Sequence, residues 1–186
     1  MPGVGIKDAL IHPPGSTNLV TNGGFETNTT GWVKVGTNTI AVSAEQAWSG
    51  AQSLKATYQD STTLAQYAIT LTAVAYTASC YLYIPAAYDG LAPRLERVGF
   101  TGAAGPVFVS ADLGVRDAWQ RLELAAFVPA AGDLDGAINI NAAAGPPTAG
   151  KFLYIDDAQV ELGSIATPYI HTDGATASRT GLKWVA

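Results

Sequence analysis

Residues 79–84 alternate strictly, with Cys80, Leu82 and Ile84 on one side and Tyr81 and Tyr83 on the other. Successive side chains of an extended strand point to opposite faces, so this stretch presents one apolar face and one aromatic face. Residues 119–128 read the same way, with Leu122, Leu124, Ala126 and Val128 opposing Arg121, Glu123 and Phe127, and Tyr67, Ile69 and Leu71 supply another apolar row. No long window repeats apolar residues at helical spacing, and 20 Gly and 10 Pro interrupt the chain at short intervals. Asp89-Gly90, Gly105-Pro106, Asp135-Gly136 and Gly145-Pro146-Pro147 mark turns or loops. These features predict an all-β chain whose sheets each bury one side. No internal repeat of solenoid or propeller length is present.

Composition narrows the function. With 48% hydrophobic and 13% charged residues the chain is folded, and 186 residues suit a single domain with arms. A net charge of −5 without any basic cluster argues against nucleic acid and against an anionic membrane surface. No run has the length of a membrane span, and the start Met1-Pro2-Gly3-Val4 lacks the charged and apolar parts of a secretion signal, which suits a protein released by host lysis. The single Cys80 lies in an apolar strand and reads as a small core side chain. A nucleophilic triad needs a histidine in a rigid frame. His12 instead falls in a Pro-rich arm and His171 in an irregular tail, and no carboxylate pair stands out, so no enzyme is expected.

Residues 1–17 carry three Pro and three Gly and read as an N-terminal arm; residues 163–186 read as a C-terminal arm around a module at 18–162. In that module Asn18-Leu19-Val20, then Gly24-Phe25-Glu26, then Gly31-Trp32 come in order. Ser49-Gly50 with Ser53-Leu54-Lys55, a strand at 76–84, Trp119-Gln120-Arg121 and Tyr154-Ile155-Asp156-Asp157 follow. This series resembles the family 4 and 9 carbohydrate-binding modules, and the resemblance implies a galactose-binding-like jelly-roll β-sandwich. The tail Ala166-Thr167-Pro168-Tyr169-Ile170-His171-Thr172 resembles a segment at the end of such modules in bacteriophage structural and tail proteins, with His171 where Pro is more usual.

The resemblance implies a structural calcium shared by Glu26 and one carboxylate of the closing strand, Asp156 by position, with backbone carbonyls near Asn22 and Ser49-Gly50. A hard cation needs several such oxygens; the competing reading is that Glu26 and Asp156 cap turns. Asp133 and Asp135-Gly136 resemble the start of a calcium loop, but the later ligands are missing and a hairpin turn is expected. Asn28-Thr29-Thr30 is a glycosylation sequon that reads as a polar loop in the absence of a secretory route.

Sugar recognition needs aromatic faces beside polar side chains. Tyr81 and Tyr83 on one strand, Arg121 and Glu123 on another, and Trp48, Tyr58 and Tyr88 at strand ends or loops are the candidate ligand contacts. Large aromatics also serve as core or subunit contacts.

The expected function is a virion protein, a capsid decoration, head fibre or minor tail component. It would assemble in the host cytoplasm and stand exposed on the particle, adhering weakly and multivalently to host or environmental glycans. Its arms would join other virion proteins and form a homo-oligomer, because Ile6, Leu10, Ile11, Tyr169, Ile170, Leu182 and Trp184 are large apolar groups in the arms. The alternatives are a purely structural connector that binds no sugar and an accessory module of a polysaccharide-degrading enzyme.

Overall fold

A computed structural model describes residues 15–143 and 145–180. The described residues form twelve strands and no helix: β1 (Ser16–Asn18), β2 (Trp32–Val33), β3 (Thr39–Ser43), β4 (Ser53–Thr57), β5 (Thr63–Thr70), β6 (Tyr76–Tyr83), β7 (Arg94–Gly99), β8 (Phe108–Ser110), β9 (Trp119–Phe127), β10 (Asp135–Asn141), β11 (Phe152–Leu162) and β12 (Ala177–Arg179). They pair antiparallel in two sheets, as the alternation predicts.

The first sheet is organised on β11. Along one edge, its first half pairs with β4 and its end with β1, at Asn18 and Glu161; β3 lies beyond β4 and β12 beyond β1. The other edge carries β6 and then β9. The second sheet runs β2-β5-β10-β7-β8. Between the sheets lies one core in which Phe25, Phe100, Phe127, Leu54, Leu82, Leu124, Ile140 and Ile155 are fully enclosed. Removing that apolar surface from water is the main drive for closing the sandwich.

The alternation read for residues 119–128 fails in β9. Leu122 and Leu124 face the core as expected, but Phe127 is fully buried and Val128 is exposed, the reverse of the simple reading. The pairing explains it: Ala78 opposes Leu124 whereas Tyr76 opposes Phe127, so three residues on β9 span what two span on β6. This bulge moves every later side chain to the other face. Asp135-Gly136 is also corrected, because these residues begin β10 and the turn lies earlier, where Asp133 N–H donates to the Ala130 carbonyl. Within the first arm, Ser16 and Thr17 belong to β1, and residues 1–14 lie outside the described part.

The C-terminal segment up to residue 180 is not a projecting arm. It folds back and closes over the end of β11, and β12 then pairs with β1. The Glu161 carboxylate is buried and accepts hydrogen bonds from Ser16 Oγ, Gln159 Nε2, Thr167 N and Thr167 Oγ1. Ile170 is buried, its N–H donates to Gln159 Oε1 at 2.8 Å, and its carbonyl accepts from Asn18 Nδ2 at 3.1 Å. Thr172 Oγ1 accepts from Gly23 N at 3.1 Å. The residues that prompted the virion resemblance thus have a task inside the domain. Tyr169 and Ile170 were expected against other subunits and pack on their own sandwich; Ile6, Leu10, Ile11, Leu182 and Trp184 lie outside the described residues.

Two outcomes follow in urea unfolding. Phe127→Ala is expected to cost about 3–5 kcal/mol and Val128→Ala within about 0.5 kcal/mol, so a larger loss at Val128 would contradict the bulge. Thr167→Val removes one of the donors to buried Glu161 and is expected to cost about 1–3 kcal/mol; an unchanged midpoint would mean that the tail is not part of the fold.

Candidate glycan-binding faces

Two outer faces gather the side chains that could meet a ligand. On the first sheet, the cross-strand row runs Lys55, Tyr154, Tyr83, Trp119, and the next row places Tyr81 beside Arg121. The structure therefore brings Tyr81, Tyr83, Arg121 and Glu123 together, with Trp48 joining from the loop before β4. It does not bring Tyr58 and Tyr88 there. Tyr88 is 4% exposed in the core with Arg116 over its ring, and Tyr58 packs on the core beyond the end of β4, so neither is placed to stack on a sugar.

Most rings of this face pack edge to face. Tyr83 meets Trp119 at 63° and Tyr154 at 78°, and Phe152 meets Tyr154 at 77°. That is the tilted geometry aromatic rings prefer among themselves, and it fills the surface rather than offering a flat platform. Lys55 Nζ lies 4.0 Å from the Phe152 ring centroid and pairs with Glu45, which also accepts from Tyr154 O–H. The Lys55 bond, then the Tyr154 bond, hold the Glu45 carboxyl below its ordinary pKa. Arg121 pairs with Glu123 at 2.7 Å and donates from its other terminal nitrogen to the Thr167 carbonyl.

The second sheet carries a site that the sequence reading passed over. Across its outer face one rung runs Val33, Gln66, Asn139, Glu96, Phe108, and the next carries Asn141 and Arg94. The middle is polar and sunken, with Asn139 only 2% exposed, while the rim residues Val33 and Phe108 are about half exposed. Gln66 Nε2 donates to Asn139 Oδ1 at 3.1 Å, and the Arg94 guanidinium covers the Phe108 ring. Arg94 Nε and Glu96 Oε2 pair as ions at 3.3 Å, and both atoms are buried without a hydrogen bond although the side chains are 24% and 14% exposed. Buried polar atoms normally bond to protein, water or ligand, so this strip between apolar rims offers one donor and one acceptor that the protein itself does not use. In the sequence this strip looks like the ordinary solvent side of three strands; only burial distinguishes it.

A third cluster lies where β11 is bulged between Asp156 and Gln159. Asp157 takes a left-handed φ of 50°, which breaks alternation and brings both carboxylates to the loop before β4. Asp156 is fully buried, and its Oδ2 accepts from Trp48 N at 2.8 Å and Ser49 N at 3.2 Å. Burial pushes its pKa up to about 7, with the Asp157 charge adding to the rise and the backbone donors opposing it. Asp157 accepts from Ser49 Oγ at 2.6 Å; its pKa is also raised, by burial first and by the charge of Glu26, against the pull of Ser49, His171 and Arg121. Glu26 accepts from Ala51 N and lies so close to Gly50 that a Cβ there would fall 2.0 Å from its Oε1. Gly23 is equally confined, since a Cβ would sit 2.0 Å from the Ala158 carbonyl oxygen.

Of the expected calcium ligands, Glu26, Ser49 and Gly50 therefore adjoin, but the strand carboxylate that feels Glu26 is Asp157, while Asp156 clamps the Trp48 loop. The Asn22 carbonyl accepts from Trp32 Nε1 and its side chain bonds the Asn28 and Thr30 carbonyls, so it closes the preceding turn. Among the described residues, no three His, Cys, Asp or Glu side chains converge enough to hold a metal by themselves.

No protein-family model and no curated protein matches the sequence. Solved structures match it in fold. The CBM22-1 xylan-binding domain of Paenibacillus barcinonensis Xyn10C superposes with a TM-score of 0.59 at 20% identity, over 77% of this chain and 94% of that one. The C-terminal family 22 carbohydrate binding module of Clostridium thermocellum Xyn10B gives 0.56 at 15%, over 78% and 94%. A family 16 carbohydrate binding module gives 0.52 at 16%, over 77% and 99%. The structural likeness is thus to modules of families 22 and 16; the expected membership of families 4 and 9 and the bacteriophage origin gain no support. At these identities the fold is what is shared: the chain has the jelly-roll β-sandwich fold of carbohydrate-binding modules.

Proposed function

We propose that the domain binds a neutral glycan chain along the polar strip of the second sheet and has no catalytic role. The observation that carries this is the buried pair Arg94 Nε and Glu96 Oε2, left without hydrogen bonds beside Asn139 and Gln66. Sugar hydroxyls both donate and accept, so one ligand class satisfies both atoms. The apolar rims at Val33 and Phe108 suit the C–H faces of the rings. One positive and one negative side chain cancel, which favours a neutral glycan over an acidic one.

The fold likeness to xylan-binding domains agrees with this reading, and one neighbour is a carbohydrate-binding module joined to the GH10 module of an endo-1,4-beta-D-xylanase. An accessory module that holds an attached activity on its polysaccharide is therefore the favoured setting. The virion setting rested on the tail segment, whose residues the fold itself employs.

The test separates binding from stability. Replacing a buried ion pair by apolar groups of similar volume is usually neutral or stabilising. Arg94→Met with Glu96→Leu should therefore keep or raise the unfolding free energy while retardation in gels containing soluble xylan, mannan or a β-glucan falls to a weak remnant. If binding is kept and stability falls by more than about 3 kcal/mol, the pair is structural and the proposal fails.

A calcium ion at Glu26 and Asp157 is the second element of the proposal. The donor chemistry fits: two carboxylates close enough for the charge of one to raise the pKa of the other, beside the carbonyl-bearing loop at Ser49 and Gly50, with no Lys or Arg ion pair to either among the described residues. Hard oxygens of this kind suit calcium. The ion would supply positive charge that ties the first loop and the loop before β4 to β11. Calcium should raise the melting temperature of chelator-treated protein, and Glu26→Gln should abolish the rise. No rise in the unmodified protein would eliminate the site.

A further inference from the structure

We propose that Trp48, stacked on Tyr81, forms a second sugar-contact platform on the first sheet, taking the apolar face of a single pyranose ring of a neutral glycan. It is separate from the polar strip, which lies on the outer face of the opposite sheet. It rests on the reading of the domain as a glycan binder and extends it to a second face.

The geometry of this pair differs from that of its neighbours. The Trp48 and Tyr81 rings are 4.1 Å apart and only 17° from parallel. The other aromatic pairs of this face meet at 63° or more and use one another's faces. Trp48 remains 48% exposed, as expected of an indole with one side covered by Tyr81 and the other in water. A flat aromatic surface held in that state is what the C–H face of a sugar ring needs, because stacking buries apolar area without requiring the indole to reorganise.

The platform is also held in place. Both N–H groups of Trp48 and Ser49 donate to Asp156 Oδ2, and Ser49 Oγ donates to Asp157, so the loop is tied to β11 at the base of the indole. Asp156 is therefore a positioning residue. Polar groups stand beside the ring: the Arg121 guanidinium is 6.0 Å from the Tyr81 centroid, and its ion pair with Glu123 is partly open to solvent. Together they offer donors and an acceptor to hydroxyls at the edge of a stacked ring.

Four proteins are compared on the same panel of soluble xylan, mannan and β-glucan, by gel retardation and by tryptophan fluorescence: the unmodified chain, Arg94→Met with Glu96→Leu, Trp48→Ala, and the combination. The strip variant should keep weak retardation on at least one polysaccharide, and the combination should lose it. Trp48→Ala alone should weaken binding by about tenfold or less, the range of one aromatic contact. Trp48→Phe, which keeps a flat ring, should restore part of it. If Trp48→Ala binds as the unmodified chain does and the strip variant binds nothing, the platform is refuted and the strip stands. If Trp48→Ala changes an oligomer into a monomer in light scattering, the indole is a subunit contact and the platform is refuted. Absence of binding by all four proteins refutes both sites.

Discussion

The bulge of β11 at Asp156 and Asp157 is the constraint on which the rest of the first sheet depends. A regular strand would send these two carboxylates to opposite faces. The left-handed Asp157 instead lets both reach the loop before β4, while Ala158 N–H donates to the Gly23 carbonyl and fixes the first loop. β11 also receives β4 and β1 on one edge and β6 on the other, so three strands from the first half of the chain meet on this late one. Two buried acids at such a junction are costly unless hydrogen-bonded or paired with a cation. Asp156 meets that cost with the backbone donors of Trp48 and Ser49, and Asp157 with the Ser49 hydroxyl.

The two outer faces solve different problems. The first sheet has the larger aromatic content, but most of it is spent internally in tilted ring pairs and in the Lys55, Glu45 and Tyr154 cluster. The second has few aromatics and a polar strip that is buried without being fully hydrogen-bonded. Arg94 Nε and Glu96 Oε2 are the buried atoms of that strip left without a hydrogen bond, and a ligand bearing both donors and acceptors would supply them. The C-terminal segment belongs to the scaffold: Thr167, Ile170 and Thr172 lock Glu161, Gln159, Asn18 and Gly23, joining both chain ends to β11.

Much of the fold was legible because period-two alternation is local. Cys80, Leu82 and Ile84 point inward and Tyr81 and Tyr83 outward as read. The reading failed at Phe127 because a bulge is a property of pairing, and nothing in Ala125-Ala126 announces it. It failed at the tail because Thr167 and Thr172 look like loop residues until their partners, distant in sequence, are known. The candidate site was half legible. Tyr81, Trp48, Arg121 and Glu123 do share a face, but Gln66, Asn139, Arg94 and Glu96 drew no reading, since burial on the outside of a sheet depends on neighbours from other strands. Tyr88 was misplaced for the complementary reason, as an aromatic in a loop can still turn into the core.

Backbone amide chemical-shift mapping with xylohexaose and other neutral oligosaccharides tests the central claim most directly. The account predicts saturable shifts centred on Gln66, Asn139, Asn141 and Glu96, including the side-chain amides of the first three. Saturable binding that leaves those four positions unmoved would contradict it.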